Sequence, residues 1–82
     1  LFGEFHLNNL TFGFFEYFNT NYPEATNAEV RLAALIKLNL SNNEMARTLG
    51  ISIDSVRKTN LRLRKRLGIE EQADLLKLIL SV

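Results

Sequence analysis

At 82 residues the chain has room for one domain with a single modest core and none for a second. Hydrophobic residues at 46% and charged residues at 23% mark a folding chain rather than a disordered one, and the absence of Cys excludes a disulfide framework and thiolate metal sites. The formal net charge of +1 conceals an uneven layout: of ten Lys and Arg, six (Arg57, Lys58, Arg62, Arg64, Lys65 and Arg66) fall in one short run with no acid among them.

No apolar run approaches the roughly 20 residues that cross a bilayer, and no secretory leader pattern is present, so the expected location is the cytoplasm. The only Met is Met45, so Leu1 is not expected to be a translation start and the chain reads as part of a longer one.

Residues 1 to 10 carry Phe2, Phe5, Leu7 and Leu10 without a clean period and read as an irregular lead-in. Thr11 is placed to cap a helix running to about Asn21, with an aromatic stripe of Phe12, Phe15, Phe18 and Tyr22, closed by Pro23. These first 25 residues form a lead-in unit, and residues 26 to 82 carry the rest of the organisation. Thr26 and Glu29 have the spacing of a capping box and open a second helix through Leu38, whose broad apolar face (Val30, Leu32, Ala33, Ala34, Leu35, Ile36) suits a central position. Asn39 can end it, because Asn tolerates the left-handed backbone.

Ser41 and Glu44 repeat the box and open a short helix that stops at Gly50. Ser52 caps a longer helix from about Ile53 to Leu67, with Ile53, Val56, Leu63 and Leu67 inward and Gly68 at its end. The acids Glu70, Glu71 and Asp74 suit the positive end of a last helix reaching about Leu80. No strand candidate survives. The expected fold is all-α, a small bundle of about five helices.

Two helices joined by a short Gly-containing turn form a helix-turn-helix, whose second member can enter a DNA major groove. Ala46 is small where the two backbones approach, and Met45, Leu49, Ile51 and Val56 supply apolar plugs. With Val56 inward, the 100° advance per residue turns Lys58, Leu61, Arg62 and Lys65 outward, puts Arg57 and Arg64 on one shoulder and puts Arg66 on the other. Early positions on such a helix reach base edges, which nominates Arg57, Lys58 and Leu61 as readers. Arg can grip guanine O6 and N7, and an exposed Leu can lie on a thymine methyl. Ser52, Ser55, Arg62, Arg64 and Lys65 are nominated for phosphates.

The stretch "LNLSNNEMARTLGISIDSVRKTNLRLRKRLG" resembles the DNA-binding domain of LuxR/NarL-type bacterial transcriptional regulators. Leu40, Ser41, Asn42, Glu44, Met45 and Ala46 match the first part of that pattern. Leu49, Ile51, Ser52, Ser55, Val56, Arg57, Arg66 and Leu67 match the rest. Asn39 stands where the family usually has Gly, Thr59 where many members have His, and Leu61 at a position that is often polar. With the aromatic helix ending in "YP", the chain looks most like domains at the C-termini of large bacterial sensor regulators. The resemblance covers about residues 26 to 81. It implies sequence-specific duplex-DNA binding as the output domain of a regulator, with a signal-receiving part elsewhere and a last helix that pairs two copies. Leu75, Leu76, Leu78 and Ile79 are the apolar candidates for that homodimer, with packing against the aromatic helix an equal use of them.

Two other readings stand beside it. A sigma-factor-like promoter-binding domain shares the capped short helix, the Gly turn and the basic helix, and usually ends soon after it. A helical protein-interaction module would use "DLLKLILSV" or the Phe-rich helix for docking. An enzyme is disfavoured: one His, no Cys and carboxylates spent as caps leave no catalytic residue, metal cluster or cofactor loop to nominate.

Overall fold

The computed structural model describes residues 13 to 82, so the expected cap at Thr11 and the aromatic Phe12 lie outside the described residues. Five α-helices and no strand occur among them: α1 (Phe15–Asn21), α2 (Asn27–Lys37), α3 (Asn42–Leu49), α4 (Ile53–Leu67) and α5 (Gln72–Ser81). The all-α bundle read from the sequence is the observed fold.

Both capping boxes form. The Thr26 hydroxyl accepts the Glu29 amide at 3.2 Å while the Glu29 carboxylate accepts the Thr26 amide at 3.1 Å. Ser41 and Glu44 do the same at 3.2 and 2.7 Å, and the Ser52 hydroxyl accepts the Ser55 amide at 3.1 Å. Each box satisfies two backbone donors that a helix start otherwise leaves unpaired. Accepting these N–H bonds holds the Glu44 carboxyl below its usual range.

Three helices stop in one way. Asn39, Gly50 and Gly68 take left-handed conformations with φ of 66°, 69° and 72°. The amide of the following residue then donates to a carbonyl in the last turn: Leu40 to Leu35 at 3.2 Å, Ile51 to Ala46 at 3.0 Å and Ile69 to Arg64 at 2.8 Å. At Gly50 an added Cβ would meet no atom within 4 Å, so any substitution there is opposed by backbone conformation and not by crowding. Gly50→Ala is therefore expected to cost about 1–2 kcal/mol, and Gly50→Asn less, because the chain already uses Asn at Asn39 for the same conformation. Chemical denaturation of the two variants checks the order; equal costs would mean that φ does not control this turn.

α2 lies at the centre, packed on α4 and α5, and α3 packs on α4. The core comprises Phe14, Phe18, Leu32, Ala33, Ala34, Ile36, Met45, Ala46, Val56, Leu63, Leu75 and Ile79. The Lys37 ammonium donates to the Leu80 and Val82 carbonyls at 3.2 and 2.9 Å, which ties the end of α2 to the end of α5. A cation there also meets the negative end of the α5 dipole.

Three expectations are corrected. In α1 the buried aromatics are Phe14 and Phe18, with ring centroids 5.1 Å apart, while Phe15 is only half-buried; Phe14 and Phe18 are four apart, so one helical turn stacks them on the same face. In α4 the inward side is Val56, Thr59, Asn60 and Leu63, with Leu67 half-buried and Ile53 exposed. Ile53 falls on the projecting start of the helix, where Gly50 to Asp54 are all exposed and no neighbouring helix covers them. In α5 Leu75 and Ile79 are fully buried in the core, so they have no surface to offer a second chain; Leu76 and Leu80 are exposed and Leu78 is half-buried. The 100° advance cannot turn Leu75 and Leu76 the same way.

Candidate functional site

The cationic residues are carried by α4, a rod of about 22 Å at 1.5 Å per residue. Burying Val56, Thr59, Asn60 and Leu63 against α2 and α3 fixes its rotation, and what remains outside is Asp54, Arg57, Lys58, Leu61, Arg62, Lys65 and Arg66. Lys58, Leu61, Arg62 and Lys65 recur at three- and four-residue spacing, so they share one outward row. Leu61, at 44% exposure, sits in the middle of that row as an apolar side chain in water.

The turn that precedes the rod is short. Gly50 to Ser52 separate Leu49 from Ile53, and the left-handed Gly50 redirects the chain. Of the apolar plugs expected at this junction, Met45 and Val56 are buried, Leu49 is half-buried and Ile51 is exposed. Asn43, Arg47, Ser52 and Ile53 line a concave surface of about 550 Å³ at the turn.

The cations differ in how far they are committed. Lys58 pairs with Asp54 one turn earlier at 3.1 Å, with both side chains about 70% exposed. An exposed pair of this spacing is worth about 0.3–0.5 kcal/mol, so it leaves Lys58 free to exchange partners. One Arg62 Nη donates to the Thr59 hydroxyl at 3.0 Å, which steers its stem and leaves its other N–H groups outward. Lys65 makes no hydrogen bond or ion pair among the described residues and is exposed. Arg64 is half-buried: its Nε donates to Asn60 Oδ1 at 3.3 Å and its Nη1 to the Glu70 carbonyl. Arg57 is exposed and lines a hollow with Arg64, on the shoulder towards the start of α5. The Ser52 hydroxyl caps α4 and donates to Ser55 Oγ at 3.1 Å, so the Ser55 proton is the one left to reach outward.

Arg66 is the cation that faces protein. Its Nε and Nη2 donate to the two carboxylate oxygens of Glu29 at 3.0 and 3.3 Å, a bidentate bridge between residues 37 apart in sequence. Glu29 thus serves twice, as the cap of α2 and as the anchor of the α4 C-terminal turn. The guanidinium contact holds the Glu29 carboxyl below its usual range against the opposing pull of desolvation, and the same contact raises the Arg66 pKa. Sequence reasoning identified the cap and missed the anchor. The only available signal was an acid inside a capping box with no i, i+4 cation of its own, and that does not name a partner so far along the chain.

The arrangement is a projecting rod with an uninterrupted basic side and one exposed Leu. No helix among the described residues is long and apolar enough to cross a membrane. Comparison with protein-family models, with curated proteins and with solved structures gave no match.

Proposed function

We propose that the chain binds duplex DNA through α4, as the output domain of a LuxR-type bacterial transcriptional regulator. The observation that carries the reading is the outward row of α4: Lys58, Arg62 and Lys65 around Leu61, on a helix whose N-terminal end stands clear of the body behind a left-handed Gly turn. A helix of about 10–12 Å diameter fits a major groove about 12 Å wide. In that placement Lys58 and Leu61 address base edges, Leu61 against a thymine methyl, while Arg62, Lys65 and the Ser55 hydroxyl take phosphates on either side. Arg66 supports the reading indirectly: bound to Glu29, it fixes the end of the rod on α2 and does not take part in the contact.

Lys58→Ala is expected to weaken binding by about 1–3 kcal/mol on the preferred sequence and to relax preference at one position. Lys65→Ala should instead weaken all sequences alike and lower the salt slope by about one. Site selection from random duplexes, followed by titration of the selected and scrambled sequences over a range of salt, separates the two. Affinity that ignores salt would overturn the reading, because neutralising phosphates with cations releases counterions.

Pairing of two copies would draw on Leu76, Leu80 and the half-buried Leu78 alone. This is a narrow stripe, and Leu76→Lys is the substitution that would separate two-copy binding from one-copy binding in the same titration.

A further inference from the structure

Beside the outward row, α3, α4 and α5 enclose a hollow of about 410 Å³ lined by Asn42, Arg57, Asn60, Arg64 and Gln72. Its chemistry is one-sided. Arg57 and Arg64 bring two guanidiniums, and no carboxylate lines it; the nearby acids Glu70, Glu71 and Asp74 are exposed and lie outside the lining. Asn42 and Gln72 are the first residues of α3 and α5. Early amides in a helix have no intrahelical acceptor, and α5 has no side-chain cap to supply one. Two helix starts therefore present donors and positive dipole ends to the hollow's edge.

Asn60 forms the floor and points independently to a ligand. It is 9% exposed, and its Oδ1 accepts from Arg64 Nε at 3.3 Å, which turns the Nδ2 group the other way. That Nδ2 donates to no protein group among the described residues, although it belongs to a side chain nine-tenths buried and lining the hollow. A donor at this depth leaves a site short of an acceptor. The complement of two guanidiniums, an amide N–H2 and helix-start N–H groups is a tetrahedral oxyanion.

We propose that this hollow is a phosphate seat, in which Arg57, Arg64 and the Asn60 amide hold one phosphate group, supplied by the DNA backbone flanking the α4 groove. The source of the phosphate rests on the duplex-DNA reading; the seat itself does not. The assignment moves Arg57 from the bases to the backbone, with Arg64, held by Asn60 and the Glu70 carbonyl, as its pre-positioned partner.

The test uses the 82-residue chain and three substitutions. Asn60→Asp keeps an acceptor for Arg64 and replaces the free donor with negative charge. Gln72→Glu makes the same change of charge at an exposed helix start, where an acid favours the helix, so it keeps the test alive if Asn60→Asp disturbs folding. Arg57→Gln removes one guanidinium. Ser81→Asp, at the far end of α5, controls for net charge.

Each seat variant is expected to weaken binding to a mixed-sequence duplex several-fold on all sequences alike, with the Arg57→Gln salt slope lower by about one and Ser81→Asp unchanged. In parallel, inorganic phosphate alone is titrated into 15N-labelled protein. The Asn42 and Gln72 backbone amides and the Asn60 side-chain amide should shift in the parent and not in Asn60→Asp. If the parent binds DNA while seat variants match it, or Arg57→Gln loses preference at one base position only, the seat is overturned and the DNA reading stands. If the parent ignores DNA while inorganic phosphate moves those amides, the DNA reading fails and the seat stands for free phosphate. If neither ligand has an effect, both fail.

Discussion

Leu63→Ala is expected to destabilise the domain by about 2–5 kcal/mol, whereas Leu61→Ala, two residues earlier on the same helix, should change stability by no more than about 0.5 kcal/mol. Leu63 is fully buried between α4 and the central helix, so truncation removes transfer free energy and leaves a cavity lined by rigid neighbours. Leu61 has 44% of its surface in water and little packing to lose. A domain of this size has about 5–15 kcal/mol in total, so the first change takes a large share of it. The pair also separates stability from recognition, because Leu61→Ala should alter preference at a thymine-containing position while folding normally. Denaturation midpoints and site selection on both variants check this. The reverse pattern, a costly Leu61 and a silent Leu63, would mean that α4 is rotated and that its basic row does not face outward.

Glu29→Ala should cost about 2–3 kcal/mol, more than a surface cap, because one carboxylate closes the α2 capping box and holds Arg66. The cost falls short of that for a fully buried pair, since Arg66 keeps a third of its side-chain surface in water and can turn outward when its partner is gone. The carboxylate is also a source of acid sensitivity. Its pKa is lowered in the folded chain from an ordinary 4.5, so the unfolded chain takes up the proton first as pH falls. The stabilisation is complete above about pH 4.5 and is lost below it as pH drops through the folded value. Thermal unfolding between neutral and acidic pH should show a steeper acid limb in the parent than in Glu29→Gln, with Glu44 contributing in the same direction to both. Parallel curves would mean that the bridge to Arg66 contributes nothing to folding. A second consequence is functional: with the α4 end released, Glu29→Gln should weaken DNA binding even though it frees a cation, because the rod loses its fixed direction.

What could be read before folding was local. Thr26 with Glu29, Ser41 with Glu44, and Ser52 mark helix starts because their partners lie within one turn, and Asn39, Gly50 and Gly68 mark helix ends because few other residues tolerate a positive φ. The outward row of α4 was legible for the same reason: helical period converts spacing into direction, and Lys58, Leu61, Arg62 and Lys65 are exposed as that period requires. Period alone misjudged the inward side, where polar Thr59 and Asn60 are buried and Ile53 is not. A residue's burial depends on whether a neighbouring helix reaches its turn, and α4 outruns its neighbours at the N-terminal end.

The chain by itself thus determined the helices, their limits and the face on which positive charge gathers, because these follow from interactions within about one helical turn. Only tertiary structure decided which cations are spent and which are free. The Arg66–Glu29 bridge joins residues 37 apart, the Arg57–Asn60–Arg64 hollow exists because α3 and α5 bring their first turns to α4, and Leu75 and Ile79 of α5 go to the core instead of to a second chain. Each depends on where whole helices are packed, which the buried apolar surface of α2 sets and no local spacing encodes.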